Sequence, residues 1–252
     1  MARSKSPVFM FDNSDPEMRA AYARAREMFR LFWREVAWDR RRFIPALTLA
    51  AVKAPFSDPQ KPGAKGEPEV EHMWLSDVDY DGEFVSGELG SAPNKIKSVK
   101  EGDTLRVQIS QLSDWMYAIG DVVFGGFSVN LLRARMSAKE RKNHDAAWEL
   151  NFGDPTTVRT STEQQRHEAD VAIVRSLREY LAQHPTGISA KGGGLHGWTM
   201  LHYYASNGNV MAVKALLQAG ADPHAKADNG VTALQLAQSR GWGEVAELLA
   251  GK

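Results

Sequence analysis

From Trp74 onward apolar and polar positions alternate, and the alternation is broken by turn residues. Trp74 to Leu89 predicts a β-hairpin closed by Asp81-Gly82, a two-residue turn type that takes positive φ at both positions. Counting outward sets Tyr80 against Glu83, Val78 against Val85, Ser76 against Gly87 and Trp74 against Leu89. Trp74, Val78, Val85 and Leu89 then share one apolar face. Asp77, Asp79, Ser86 and Glu88 share the other with Leu75 and Phe84. Leu105, Val107 and Ile109 predict a further strand. Trp115, Tyr117 and Ile119 run into a second tight turn at Gly120-Asp121. Val122 and Phe124 return beside Ile119 and Tyr117, with Gly125 and Gly126 facing Met116 and Trp115. Glycine inside a strand marks a bulge or close packing under a large neighbour, so Trp115, Tyr117 and Phe124 read as core.

On either side the period changes to that of a helix. Ser14-x-x-Glu17 is a capping box with Pro16 in the first turn. Tyr22, Ala25, Phe29, Phe32, Trp33 and Val36 follow as one apolar stripe, a cover for the sheet that closes at Asp39-Arg40-Arg41-Arg42. Ala46 to Ala54 predicts a buried strand, and the proline-rich Pro55 to Pro68 a long loop. Ser128 to Met136 predicts a helix with Leu131 and Leu132 inward and Arg133 and Arg135 outward. Ser137-x-x-Glu140 caps a helix to about Leu150, and Thr160-x-x-Glu163 one to about His184 with Ile173, Leu177, Tyr180 and Leu181 on its apolar face.

The C-terminal part repeats itself. Gly197-x-Thr199-x-Leu201 returns as Gly230-x-Thr232-x-Leu234, 33 residues later. Asn207-Gly208 aligns with Arg240-Gly241, and Val213 and Leu216 with Ala246 and Leu249. This period, with Thr199-Met200-Leu201-His202, resembles the ankyrin repeat over about Gly197 to Leu249. Two helical pairs are fewer than such stacks need, so the helix from about 162 to 184 is expected to supply the missing layer. Tyr204 stands where the ankyrin family has alanine. The resemblance implies protein binding through finger tips and the concave face, carried here by Trp198, Ser206, Asn207, Lys226, Asp228, Asn229 and Arg240.

Further motifs resemble a second family. They are Phe32-Trp33-Arg34-Glu35, Val52-Lys53-Ala54-Pro55-Phe56, Glu71-His72-Met73-Trp74, Ser113-Asp114-Trp115-Met116-Tyr117 and Gly125-Gly126-Phe127-Ser128-Val129-Asn130. Together they resemble the YegJ-like bacterial domain of unknown function over about Glu17 to Pro155, which brings no catalytic residues with it. The expected fold is α+β: a mainly antiparallel sheet covered by helices over 12–155, then an all-α ankyrin array with its capping helix over 160–252.

Composition narrows the function. The 252 residues hold 31 Lys and Arg against 31 Asp and Glu, so no global charge points to nucleic acid or a membrane. With no cysteine, disulfides, thiol catalysis and cysteine-bound zinc are excluded. Val8 to Phe11 is too short for a signal or a membrane span. Locally, Glu67 to Glu88 carries eight acidic residues and no Lys or Arg, a surface suited to a basic partner. The same stretch matches a calcium-loop pattern, Asp77-x-Asp79-x-Asp81-Gly82 with Glu88, but Gly87 to Pro93 cannot start the second helix that such a loop needs. Lys191 to Gly194 lacks the lysine and hydroxyl of a phosphate loop. His144 and Asp145 are adjacent, which predicts different helix faces, and His72 and His167 have no partner at ligand spacing. The chain therefore reads as a non-enzymatic, cytoplasmic bacterial interaction protein of the immunity or antitoxin type, without cofactor or metal. Its binding residues are those of the repeats together with Asp77, Asp79 and Glu88. The alternative is a small-ligand sensor or enzyme in the N-terminal domain built on His72, Asp77, Asp114, Tyr117 and Arg133.

Overall fold

A computed structural model describes residues 15–40, 44–62, 68–192 and 196–251. Ser14, Arg41, Arg42, Glu67, Gly193 and Gly194, singled out above, lie outside them. The chain forms two compact units. One takes the residues up to Phe32 with Arg41–Thr160, and the other takes Trp33–Arg40 with Ser161–Lys252.

The first unit is a six-stranded antiparallel sheet of β1 (Leu47–Pro62), β2 (Pro68–Tyr80), β3 (Phe84–Leu89), β4 (Thr104–Gln108), β5 (Asp114–Ile119) and β6 (Val122–Gly125). Their spatial order is β4-β3-β2-β1-β5-β6. Helix α1 (Pro16–Asp39) starts with Asp15 accepting from the amides of Glu17 and Met18. It lays Ala25, Phe29 and Phe32 on one face of the sheet. Phe29 meets Tyr80 edge-on at 6.0 Å, Phe32 lies 5.6 Å from Trp115, and the Trp115 indole donates to the Ala25 carbonyl at 2.7 Å. On the other face Met116 and Val123 form a core with Val129 of α2 (Phe127–Arg135), Phe152, and Trp148 of α3 (Ala138–Trp148). The Ser137/Glu140 capping box opens α3 as its spacing predicts.

Several expectations change. First, β1 does not stop at Ala54 but runs to Pro62. Its pairing with β5 ends at Lys53↔Asp114, and pairing with β2 alone continues through Ser57↔Val70 and, past an irregularity, to Pro62↔Pro68. Past Lys53 the strand has a free edge, where proline loses no ladder hydrogen bond. Second, the first hairpin turns one residue later than predicted. The Asp81 amide donates to the Phe84 carbonyl, so Gly82 and Glu83 are the central pair, and only Gly82 has positive φ (102°). A bulge then absorbs one residue of β2 between Ser76 and Asp79, with Asp77 at φ 48°. The observed pairs are Tyr80↔Val85 and Leu75↔Leu89. Val78, Val85 and Leu89 are buried as expected, and the bulge puts Leu75 on their face in place of Trp74, which packs beside Trp148 against the core of the other face. Third, Arg133 is not on the outside. It is 1% exposed, paired with both carboxylate oxygens of Asp145 and bonded to Asn130 and the Gly153 carbonyl.

The second hairpin follows the predicted register, with Ile119↔Val122, Tyr117↔Phe124 and Met116↔Gly125. A Cβ on Gly125 would press into the backbone and ring of Trp115, which is why the strand carries glycine there. Trp115 and Tyr117 are buried and stack, and Phe124 stacks on Tyr117 at 4.8 Å.

The second unit is helical. Helix α4 (Glu163–Gln183) is capped by Thr162 with Gln165, two residues on from the predicted box, and buries Ala169, Val174 and Leu177. It packs on α6 (Val210–Gln218), which pairs with α5 (Met200–Ser206). Helices α7 (Ala233–Ser239) and α8 (Gly243–Ala250) form the second pair, with α5 on α7 and α6 on α8. Thus α4 lies against the outer helix of the first pair. Tyr204 is 6% exposed, packed edge-on against Tyr203.

Candidate functional site

The 33-residue repeat reappears as geometry. Thr199 caps α5 with His202 as the reciprocal residue, and Thr232 caps α7 with Gln235 in the same role. His202 also spans the repeats, its Nε2 lying 3.1 Å from the Val231 carbonyl, and burial lowers its pKa, keeping the ring neutral. Between the pairs a finger projects. The Ala227 amide donates to the Val231 carbonyl, the Gly230 amide to the Ala227 carbonyl, and the Val231 amide to Asn229 Oδ1. The Asp228 amide donates to the His196 carbonyl, and Lys191 reaches Asp228 Oδ1 at 2.8 Å. Backbone bonding thus holds the exposed Lys226, Asp228 and Asn229 on a fixed tip. Arg240 is half-exposed at the end of α7.

The other repeat residues singled out face inward. Trp198 is 2% exposed, Ser206 0% and Asn207 3%. Ser206 Oγ accepts from the Trp33 indole and donates to the Tyr203 carbonyl, and the Asn207 carbonyl accepts from Arg34. Arg34 also pairs with Asp170 on α4. Trp33 and Arg34 therefore belong to this unit, so the α1 stripe covers more than the sheet. Buried side chains offer a partner no surface, which leaves Lys226, Asp228, Asn229 and Arg240 as the repeat's outward set.

The acidic stretch is less uniform in space than in sequence. Glu71 is buried, and its carboxylate accepts from the Asn94 and Lys95 amides and the Asn94 side chain. Asp58 clasps the same loop through the Lys97 and Ser98 amides. Asp81 closes the hairpin by accepting from the Glu83 and Phe84 amides and pairs with Arg106 of β4 at 2.5 Å. Burial alone would push Asp81 up, but those amides and Arg106 outweigh it and hold its carboxyl below the usual range. Asp77 and Glu88 are exposed and Asp79 is half-buried. All three lie on β2 and β3, where the calcium-loop pattern would need a loop between helices.

The alternative set does not converge. Asp77 sits at the bulge, Tyr117 is core, and Arg133 is held by Asp145. His144 does meet Asp145, Nδ1 to Oδ1 at 2.9 Å, contrary to expectation. Asp145 is shared with the buried Arg133, so the contact joins α2 to α3 inside the core rather than forming an accessible dyad. Asp114 is fully buried and caps α2. It accepts from the Phe127 and Ser128 amides, the Ser128 hydroxyl and its neighbour Trp115's amide. Burial pushes its pKa up, against the Ser128 hydrogen bond and the Lys53 charge. His72 bonds Ser113, Nδ1 to Oγ at 2.6 Å, a partner that 41 residues of separation hid from the sequence.

Comparison with known proteins agrees with both units. The bacterial family described as uncharacterized protein conserved in bacteria, DUF2314, matches residues 15–152, and ankyrin repeats match residues 167–252. A protein of Neisseria meningitidis serogroup B described as an ankyrin repeat protein is 35% identical over 251 residues, covering 97% of each chain. The uncharacterized protein YegJ of Escherichia coli K12 is 33% identical over 82 residues, 32% of this chain and 48% of that one. The chain belongs to the DUF2314 family and carries C-terminal ankyrin repeats.

Proposed function

We propose that this DUF2314–ankyrin chain is a non-enzymatic, cytoplasmic interaction protein of bacteria that acts as an immunity or antitoxin-like inhibitor. It engages a protein partner through the repeat finger Lys226, Asp228 and Asn229, with Arg240 beside it. The exposed carboxylates Asp77 and Glu88, with the half-buried Asp79 between them on the hairpin, meet basic groups of a partner. The observation that carries the reading is the finger, a rigid exposed tip whose backbone is hydrogen-bonded within its own repeat and to His196. Preorganised loops lose little entropy on binding. Among the described residues no helix is long and apolar enough to cross a membrane.

The test uses the full-length chain as bait in bacterial lysate. Two variants accompany the wild type: Lys226→Glu with Asp228→Lys and Asn229→Ala, and Asp77→Lys with Asp79→Lys and Glu88→Lys. A stoichiometric protein retained by the wild type and lost from the first variant is the expected result. Equal retention by both variants removes these surfaces from the reading. The retained partner's own activity then decides the finer claim: stoichiometric inhibition supports an immunity role, and unchanged activity reduces the chain to an adaptor.

A further inference from the structure

The sheet unit holds a cleft that the interaction reading does not use. It opens where β5 begins beside β1, has a volume of about 470 Å³, and is walled by Pro55, Val70 and His72 of the strands and by Ser110, Gln111 and Ser113. Helix α1 closes it with Arg19, Tyr22 and Arg26. These three recur at helical spacing on one face, the two arginines roughly 10 Å apart along the axis. Cavities of roughly 300–1,000 Å³ hold small organic molecules, so this one exceeds what a lone inorganic ion needs.

Among the described residues that line it the charged groups are two arginines, and none is a carboxylate. Arg26 spends one terminal nitrogen, Nη1, on the Leu112 carbonyl at 3.0 Å. The Nε–Nη2 edge keeps two parallel N–H groups, the geometry that takes both oxygens of a carboxylate. The Tyr22 hydroxyl makes no hydrogen bond with the described residues, and burial, with the Asp114 and Asp15 charges adding to it, pushes its pKa to about 12, so it stays a donor. His72 Nε2 is buried without a partner. With Nδ1 engaged by Ser113, the orientation of the ring is fixed. Burial lowers the His72 pKa to about 4, with the Lys53 charge adding to it, so the ring is neutral at physiological pH. The rings of Tyr22 and His72, 5.2 Å apart, with Pro55 and Val70, supply an apolar wall.

The geometry points to a binding site for a small organic monocarboxylate, its anionic group between Arg26 and Tyr22 and its apolar body against Pro55, Val70 and the His72 ring. This is independent of the repeat surface. The probes are benzoate and octanoate, with phenyl phosphate and inorganic phosphate beside them, titrated calorimetrically into the full-length chain. A carboxylate is expected to saturate at one site per chain. Arg26→Gln and Tyr22→Phe should each weaken it about tenfold or more, the loss typical of a hydrogen bond to a charged group. Tyr22→Phe removes one oxygen only and leaves the Leu112 anchor intact, so it serves where Arg26→Gln fails to fold. Affinity should be flat between about pH 6 and 8, because neither ring titrates there. Failure of both carboxylates to saturate below about 10 mM, an affinity that neither variant changes, or saturation by the phosphates alone would each overturn the assignment.

Discussion

The two units solve one problem, the burial of polar groups, in different ways. In the two helical pairs of the repeat unit the solution is mostly local and periodic, with Trp33 and Arg34 of α1 the long-range exceptions. A threonine and the residue three positions on satisfy a helix start, and the device recurs 33 residues later. In the sheet unit it is long-range. Asp114 on β5 holds the N-terminus of α2, Arg133 and Asp145 tie α2 to α3, and Glu71 on β2 holds the loop at Asn94. Local caps add stability in small independent portions. A buried carboxylate serving several donors at once concentrates it in one residue, so the two units should fail differently.

The sharpest way to break that contrast is at Asp114. Asp114→Ala would leave the Phe127 and Ser128 amides and the Ser128 hydroxyl without an acceptor in a buried site, and Lys53 without the charge that favours its protonated form. Removing one partner of such a buried charged cluster costs about 3–5 kcal/mol. Urea unfolding followed by amide exchange at β5 and at α7 should show the loss at β5 while α7 keeps its protection. Equal loss at both would mean that the units share one stability.

The same contrast explains what could be read from the sequence. The ankyrin pairs, the Ser137 cap and the register of β5 with β6 depend on neighbours within a few residues or on an exact repeat, and both are visible in one dimension. The first hairpin was readable as a hairpin but not in turn type or register, because the turn falls at Gly82-Glu83 and the bulge at Asp77 moves the count by a further step. Arg133 looked like a surface residue because its partner Asp145 lies on the next helix. Glu71 looked like part of an acidic face because the amides that it accepts from are 23 and 24 residues away. His72 appeared alone for the same reason: Ser113 and Tyr22 reach it only once the sheet and α1 are assembled. Ser206 and Asn207 aligned with outward positions of the ankyrin pattern, but nothing in the repeat announces that Trp33 and Arg34 cover them.

A pH titration sharpens the comparison with a smaller effect. His72 in the folded chain has its pKa lowered to about 4 by burial, against about 6.5 when unfolded. Between those values the unfolded chain binds more protons, so stability contributed by the neutral ring is complete above about pH 6.5 and is lost as pH falls towards 4. The full loss is at most about 3 kcal/mol. His72→Asn, which can keep the bond to Ser113, should flatten the denaturation midpoint over this range. His202, the buried histidine of the repeats, is lowered in the same direction, so the histidine-specific part at β2 is what the His72 variant isolates.

The smallest effects belong to the repeat caps. Thr199→Ala and Thr232→Ala each remove a hydroxyl that accepts from the amide three residues on, a loss of about 1 kcal/mol in a helix start. The two are not equivalent in context. Thr199 is buried and its hydroxyl also meets His202 Nδ1 at 2.8 Å, whereas the Thr232 pair with Gln235 is exposed to water, which can replace it. Thr199→Ala should therefore cost more, and it should loosen the His202 contact with Val231 that joins the first repeat to the second. Hydrogen exchange at Ala227 and Val231 reads that junction. Faster exchange in Thr199→Ala than in Thr232→Ala, at matched global stability, would place His202 as the link that makes two short repeats behave as one stack. Identical exchange would mean that apolar stacking of α5 on α7 alone suffices.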